Sequence, residues 1–261
     1  MSRKQSKATR QANARSAAER AAAIRKEQEA RERRRRTLAV TVVVLVSLAA
    51  LLGIGYVVQS SRDTTGQVAT PPTGVVERYA VPSGESTAPV RISIYEDFMC
   101  PFCGQFEAES RETLEKYVDQ GDVRVEYHVL SFLDRASNGT NYSTRAMNAL
   151  GVVLDSAGPE AAKNFHDLLF ENQPEEGSDG LSDEELVDFA VEAGATDSDV
   201  AGPIESLKFD QWVKNATDTA SKVGVSTTPT VLVDGEQVDF ETIDELLAEM
   251  KQGVDSALAE Q

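Results

Sequence analysis

Hydrophobic positions change period along this chain, and each change marks an element. Between Val90 and Asp97, Val90, Ile92 and Ile94 alternate with Arg91, Ser93 and Tyr95, the two-residue repeat of a strand. From Gly104 the repeat turns helical, with Phe106, Thr113, Leu114, Tyr117 and Val118 on one face and Gly121 placed as a C-terminal cap. Val123, Val125, Tyr127 and Val129 alternate again, so strand, helix and strand predict a parallel pair joined by a crossover helix. A long helical stretch follows, residues 142–222. It is expected to hold one helix around 161–171, a second opening at the capping box Ser182 to Glu185, and a third over 204–221. Thr230–Val233, the turn Asp234-Gly235 and the run 237–240 predict a hairpin with a type I′ turn, and an amphipathic helix over 241–259 closes the chain.

Upstream, the pattern disappears into apolarity. Thr37 to Val58 is a run of 22 residues without a charge, about 33 Å long as a helix and enough to cross a bilayer core. Charge divides on either side of it. Residues 1–36 hold 13 of the 26 Lys and Arg but 4 of the 43 Asp and Glu, a net of +9, whereas the remainder nets −26 and the whole −17. With Arg33 to Arg36 abutting the run, the positive-inside rule places the N-terminus in the cytoplasm and everything after Gln59 outside. A cleaved signal peptide ending near Ser47-Leu48-Ala49 is the rival reading, but its apolar core would be shorter and its basic leader is unusually long. The leader lacks interleaved aromatic residues for stacking on bases, so it is read as a topology signal and not as a nucleic-acid binder. Residues 59–80, rich in Ser, Thr, Gly and Pro, read as a flexible linker whose later part can dock on the fold.

Cys100 and Cys103 are the only cysteines, and they stand together as Cys-Pro-Phe-Cys after the first strand. No structural disulfide framework can include them, which leaves redox exchange, half of a metal site or an inert pair. A cysteine at a helix start gains from the unpaired N–H groups and the positive helix end, both of which favour S⁻. Pro101 suits the first helical position, where its missing N–H costs nothing. One turn brings Cys103 back beside Cys100, so Cys100 is expected to attack and the more buried Cys103 to resolve. Phe102 brings no positive charge, so the helix end is expected to lower the Cys100 pKa moderately. Far along the chain, Val225-Ser-Thr-Thr-Pro229-Thr230 puts a proline at the entry to a strand, with trans the default for Thr228–Pro229.

Ala88-Pro89-Val90, Tyr95-Glu-Asp-Phe98, Cys100-Pro-Phe-Cys103, and Gly224-Val225 leading to Thr228-Pro229-Thr230 resemble the DsbA-type thioredoxin-fold oxidoreductases, membrane-tethered actinobacterial members above all. The resemblance covers residues 81–261. It implies an α/β thioredoxin fold with an inserted helical domain over about 142–222, behind a single N-terminal transmembrane helix. It also implies that Pro229 is a cis proline facing the dithiol and that Thr228 offers its backbone to an extended substrate. Asn164 to Phe170 and Gln173-Pro174 resemble the insertion helices. Relatives carry Pro-His between the cysteines where this chain has Pro-Phe. Many also place a buried acid six residues before the first cysteine, where this chain has Ile94. Glu96 on the same strand face, or Asp97, is the candidate substitute in relaying the proton of Cys103.

The implied activity is that of a membrane-anchored, extracytoplasmic thiol–disulfide oxidoreductase acting on exported polypeptides. No bound cofactor and no metal are implied, and a quinone-linked membrane partner would reoxidise the dithiol. A reductase or isomerase would use the same residues, and a redox-inert module would grip polypeptides along Thr228–Pro229 without them. His128 alternates with charged neighbours and is expected to face solvent, while His166, among Phe165, Leu168, Leu169 and Phe170, reads as a partly buried helix residue. A zinc site combining both histidines with both cysteines fits no common ligand spacing. Trp212, Phe209 and Phe189 are assigned to the core of the insertion.

Overall fold

The structure is a computed structural model that describes residues 68–260. The expected leader (1–36) and the span Thr37 to Val58 lie outside the described residues. Among the described residues, no helix is long and apolar enough to cross a membrane.

Strands β1 (Val81–Ser83), β2 (Val90–Glu96), β3 (Val123–Val129), β4 (Thr230–Val233) and β5 (Glu236–Gln237) form one sheet in the order β1-β3-β2-β4-β5. β2 and β3 run parallel, with Ile92 opposite Val125 and Ile94 opposite Tyr127, joined by helix α1 (Pro101–Asp119). β4 is antiparallel to β2 and sets Val231 beside Ile94. The two-residue period therefore stacks Ile92, Ile94, Val125, Tyr127 and Val231 on one buried face. Helix α1 and the C-terminal helix α6 (Ile243–Ala259) pack together and bury Phe106, Leu114, Leu246, Met250 and Val254.

Between β3 and β4 lie α2 (Tyr142–Glu171), α3 (Asp183–Glu192), α4 (Asp197–Glu205) and α5 (Asp210–Lys222). The helix expected at 161–171 is the second half of the longer α2, which is broken at Gly158, where φ is +86°, ahead of Pro159. The proline lacks an N–H and cannot continue the ladder, so apolar periodicity alone undercounted the first half. The helix expected over 204–221 is two helices, parted at Leu207, whose φ of +51° leaves the helical region. Ser182 caps α3 as expected: its Oγ accepts from the Glu185 N–H while the Glu185 carboxylate accepts from the Ser182 N–H. Asp234 and Gly235 both adopt positive φ, as a type I′ turn requires, but the returning strand is only β5 and does not reach Phe240.

Residues 71–80 lie along the helices. The Thr73 N–H donates to Asp155 Oδ1 at 2.8 Å, and Trp212 Nε1–H donates to the Arg78 carbonyl at 2.9 Å. Gly151 permits the contact, because a Cβ there would stand 3.0 Å from Pro72, 3.2 Å from Trp212 and 3.3 Å from Phe209. On the opposite sheet face, His128 departs from its solvent-facing expectation. It is 9% exposed and stacks on Tyr95 with ring centroids 4.4 Å apart, lining a crevice with Ala216, Thr219 and Ala220 of α5. That burial, with Arg91 adding to it, pulls its pKa down to about 4.

Candidate active site

Strand β2 ends at Glu96, and four residues later Cys100 is the N-cap of α1, with φ −80° and ψ 115°. Pro101 occupies the first helical turn, and the Gly104 N–H donates to the Cys100 carbonyl at 3.1 Å. The intervening loop is held from three sides. The buried Asp97 carboxylate accepts from the Met99 N–H (2.9 Å), the Leu133 N–H (2.9 Å) and the Ser143 hydroxyl (2.6 Å). Gln173, just beyond α2, donates through Nε2 to the carbonyls of Phe98 (3.1 Å) and Cys100 (2.8 Å). Gly104 makes room for that amide, since a Cβ there would collide with the Gln173 side chain. Sequence reasoning placed Gln173 in the insertion without seeing this role; its signal, a lone polar residue before Pro174, is weak.

Both cysteines are free thiols in this structure. Cys103 is fully buried, Cys100 is 4% exposed, and the Cys100 sulfur lies 3.4 Å from the Thr228 carbonyl oxygen. The Thr228–Pro229 peptide is cis and brings this carbonyl to the dithiol. Cys100 is lowered from the usual 9 to about 6, chiefly by the Cys103 thiol donating to its thiolate. Burial opposes that, while Thr228 and the N–H groups of Cys103 and Phe102 add to it. The neighbouring thiol stands first among these causes, and the helix-end N–H groups act in the expected direction beside it. Burial, helped by Cys100 and Glu96, pushes Cys103 far up. One thiol is therefore ionised near neutrality and the other is not, which is the asymmetry an exchange centre needs.

Thiolate absorbance near 240 nm is expected to titrate with a midpoint near 6 in the reduced protein, with no second step below pH 9. Because the folded value lies below the unfolded one, ionisation stabilises the folded dithiol fully above about pH 9. That advantage shrinks as the pH falls and is gone below about 6. A midpoint near 9 would mean that the Cys103 hydrogen bond is absent in solution.

Phe102 is 63% exposed beside the sulfur and lines, with Thr227, Thr228, Pro229, Phe240 and Ile243, a groove of about 470 Å³. Glu96 and Asp97 are both fully buried, not solvated. Burial raises Asp97 to about 6 against its three donors, and those donors occupy both of its oxygens. Glu96 instead accepts from His166 Nε2 at 2.6 Å, with Glu107 nearby. Glu96, Glu107 and His166 are the one trio of potential metal ligands found among the described residues. Ligands around a single ion at bond lengths near 2.0–2.2 Å stand about 3.3 Å apart, wider than the Glu96–His166 contact, so the trio fits a hydrogen-bonded charge cluster and not an ion cage. His128 faces the other side of the sheet, so the two histidines and two cysteines do not converge.

A family model described as Thioredoxin matches residues 78–252. The structure is similar to that of reduced DsbA from Mycobacterium tuberculosis, 33% identical, with a TM-score of 0.56 over 69% of this chain and 98% of that one. Among curated proteins, "Disulfide bond formation protein D" of Bacillus subtilis is 25% identical over 166 residues, 62% of this chain and 72% of that protein. The serine/threonine-protein kinase PknE of M. tuberculosis is 32% identical over 161 residues, 59% of this chain, which thereby spans only 28% of the kinase. With a strand-to-helix dithiol set against a cis-proline loop, a helical insertion between β3 and β4, and that match, the chain belongs to the thioredoxin family and is DsbA-like within it.

Proposed function

We propose that this protein is a membrane-anchored, extracytoplasmic thiol–disulfide oxidoreductase that introduces disulfides into exported polypeptides. The observation that carries the reading is the placement of the Cys100 thiol at the N-cap of α1, backed by the fully buried Cys103 and 3.4 Å from the Thr228 carbonyl of the cis-proline loop. In the oxidised protein a substrate thiolate attacks Cys100, the S–S bond breaks and its electrons leave on Cys103. A second substrate thiolate then attacks the substrate sulfur of the mixed disulfide, expelling Cys100 as its stable thiolate. The substrate is oxidised by two electrons and the dithiol gains them; a quinone-linked membrane partner would take them back. Thr228 and the apolar groove beside Phe102 offer an extended chain backbone and side-chain contacts at the point of attack.

Stabilising the reduced state through its thiolate makes a disulfide more oxidising, which favours an oxidase over a reductase with the same residues. Equilibrating the full chain with glutathione tests this. A potential above about −200 mV is expected, between the DsbA and thioredoxin values of roughly −120 and −270 mV. A value near about −270 mV would transfer the reading to a reductase. No reversible couple would leave the redox-inert module. The anchor itself is supported by the uncharged run Thr37 to Val58 and the +9 leader; fractionation of the full chain with membranes tests it.

A further inference from the structure

Gln173 is a side chain of the insertion whose two hydrogen bonds both end on the backbone of the dithiol turn. Its Nε2 donates to the Phe98 carbonyl at 3.1 Å and to the Cys100 carbonyl at 2.8 Å. The Cys100 carbonyl also accepts from the Gly104 N–H, so both of its lone pairs are used. The Phe98 carbonyl takes no other donor from the described residues. Gln173 is seated by what precedes it. Its N–H donates to the Phe170 carbonyl at 3.3 Å, and Phe170 packs on Phe98 with ring centroids 5.0 Å apart. Arg111 of α1 bonds the Glu171 carboxylate and, at 3.4 Å, the Asp167 carbonyl, which pins the end of α2 to α1. Across from the amide stands Gly104. Its backbone needs no positive φ, and glycine inside a helix is less favourable than alanine. A Cβ there would collide with Oε1 and Cδ of Gln173, and the atoms it would meet first all belong to that side chain. The glycine therefore keeps a space and not a conformation.

Building on the oxidoreductase reading, we propose that Gln173 is a positioning residue of thiol–disulfide exchange. It holds the Phe98 and Cys100 carbonyls toward the insertion, so that the Cys100 sulfur stays at the start of α1, and Gly104 is the space this requires. A carbonyl that loses its donor turns to find another, because an unpaired backbone acceptor is costly away from water. If the Phe98 carbonyl turned, the Met99–Cys100 backbone would turn with it. The sulfur sits where the Cys103 thiol and the N–H groups of Cys103 and Phe102 reach it, and a small shift of the turn weakens all three together. The same shift spoils the alignment of the sulfur with an incoming disulfide. In exchange, the Cys100 thiolate attacks one sulfur of that disulfide, the new S–S bond forms, and the other sulfur leaves as a thiolate. Gln173 takes no proton and no electron in this step; it acts through the backbone alone.

The test is a double-mutant cycle in the reduced full chain. Two quantities are read: the rate at which Cys100 attacks glutathione disulfide, and the pH profile of Cys100 alkylation. Gln173→Ala is expected to slow the attack at pH 7 by about three- to tenfold and to move the alkylation midpoint upward. Gly104→Ala leaves Gln173 in the sequence, but its Cβ displaces the amide and should reproduce both effects. The double variant should be no slower than either single variant, because without the Gln173 side chain the new Cβ meets nothing. Two independent losses would multiply instead, and that result would overturn the proposal. Gly104→Ala also favours the helix, so slower exchange in that variant does not come from a weakened fold. It decides the matter if Gln173→Ala does not fold. Wild-type rates and midpoints in either single variant would overturn the proposal while leaving the oxidoreductase reading intact. A wild-type protein that does not react with glutathione disulfide would remove that reading first, and this proposal with it.

Discussion

Cys100→Ser is expected to abolish disulfide exchange, a loss on the order of 10³-fold or more, because a hydroxyl supplies no anion at neutral pH and no sulfur to oxidise. The more discriminating variant is Cys103→Ala. The Cys103 thiol is the largest cause of the low Cys100 pKa, so its removal should carry Cys100 from about 6 toward the usual 9. At pH 7 a thiol near 6 is roughly nine-tenths ionised and one near 9 roughly one-hundredth. The first attack should therefore slow by up to about 100-fold at pH 7 and recover as the pH is raised, with no resolution afterwards. Cys103→Ser, whose hydroxyl still donates, should keep most of the attack rate and trap the mixed disulfide. Alkylation rates of Cys100 against pH read both effects. An unshifted profile in Cys103→Ala would assign the low pKa to the helix end.

Trp212→Ala should be the costliest substitution away from the dithiol, at about 3–5 kcal/mol. The indole is 2% exposed, meets Phe209 at 6.3 Å between centroids, and donates to the Arg78 carbonyl. Truncation opens a cavity against Gly151 and removes the hydrogen bond to that carbonyl. Trp212→Phe should cost less, keeping volume and losing the bond. Urea midpoints followed by circular dichroism measure the two. Since Trp212 fixes residues 73–78 against the insertion, proteolysis after Arg78 should accelerate in the alanine variant. A cost below about 1 kcal/mol would show that these residues are held by other contacts.

The elements with a clean period were readable in advance. β2, α1, β3 and the capping box at Ser182 follow from local spacing and capping chemistry, and the dithiol's place at a strand-to-helix junction follows from them. What escaped was set by packing between distant segments. His128 alternates with charged residues exactly as a solvent-facing strand residue would, yet α5 covers that face. His166 looked like a helix residue among leucines, and only the meeting of α2 with β2 shows it bonded to Glu96, 70 positions earlier. Gln173 and Ser143 are likewise unremarkable in sequence; their value lies in reaching back to the loop around Asp97 and Cys100. The first half of α2, ahead of the break at Gly158, was not marked out by apolar spacing, and the expected helix over 204–221 ran through the break at Leu207.

The loop clamp has a consequence for portability. The backbone at Cys100 is held by an amide from beyond α2, its thiol donates to a carbonyl of the strand-entry loop, and the turn before it is held by Asp97, which gathers donors from two further segments. Cys-Pro-Phe-Cys transplanted alone into another scaffold would therefore take on the host's chemistry and leave this protein's behind. Conversely, this scaffold should impose much of its own character on a foreign dipeptide placed between its cysteines. Tuning by exchange of residues 101 and 102 is bounded by everything the tetrapeptide does not contain.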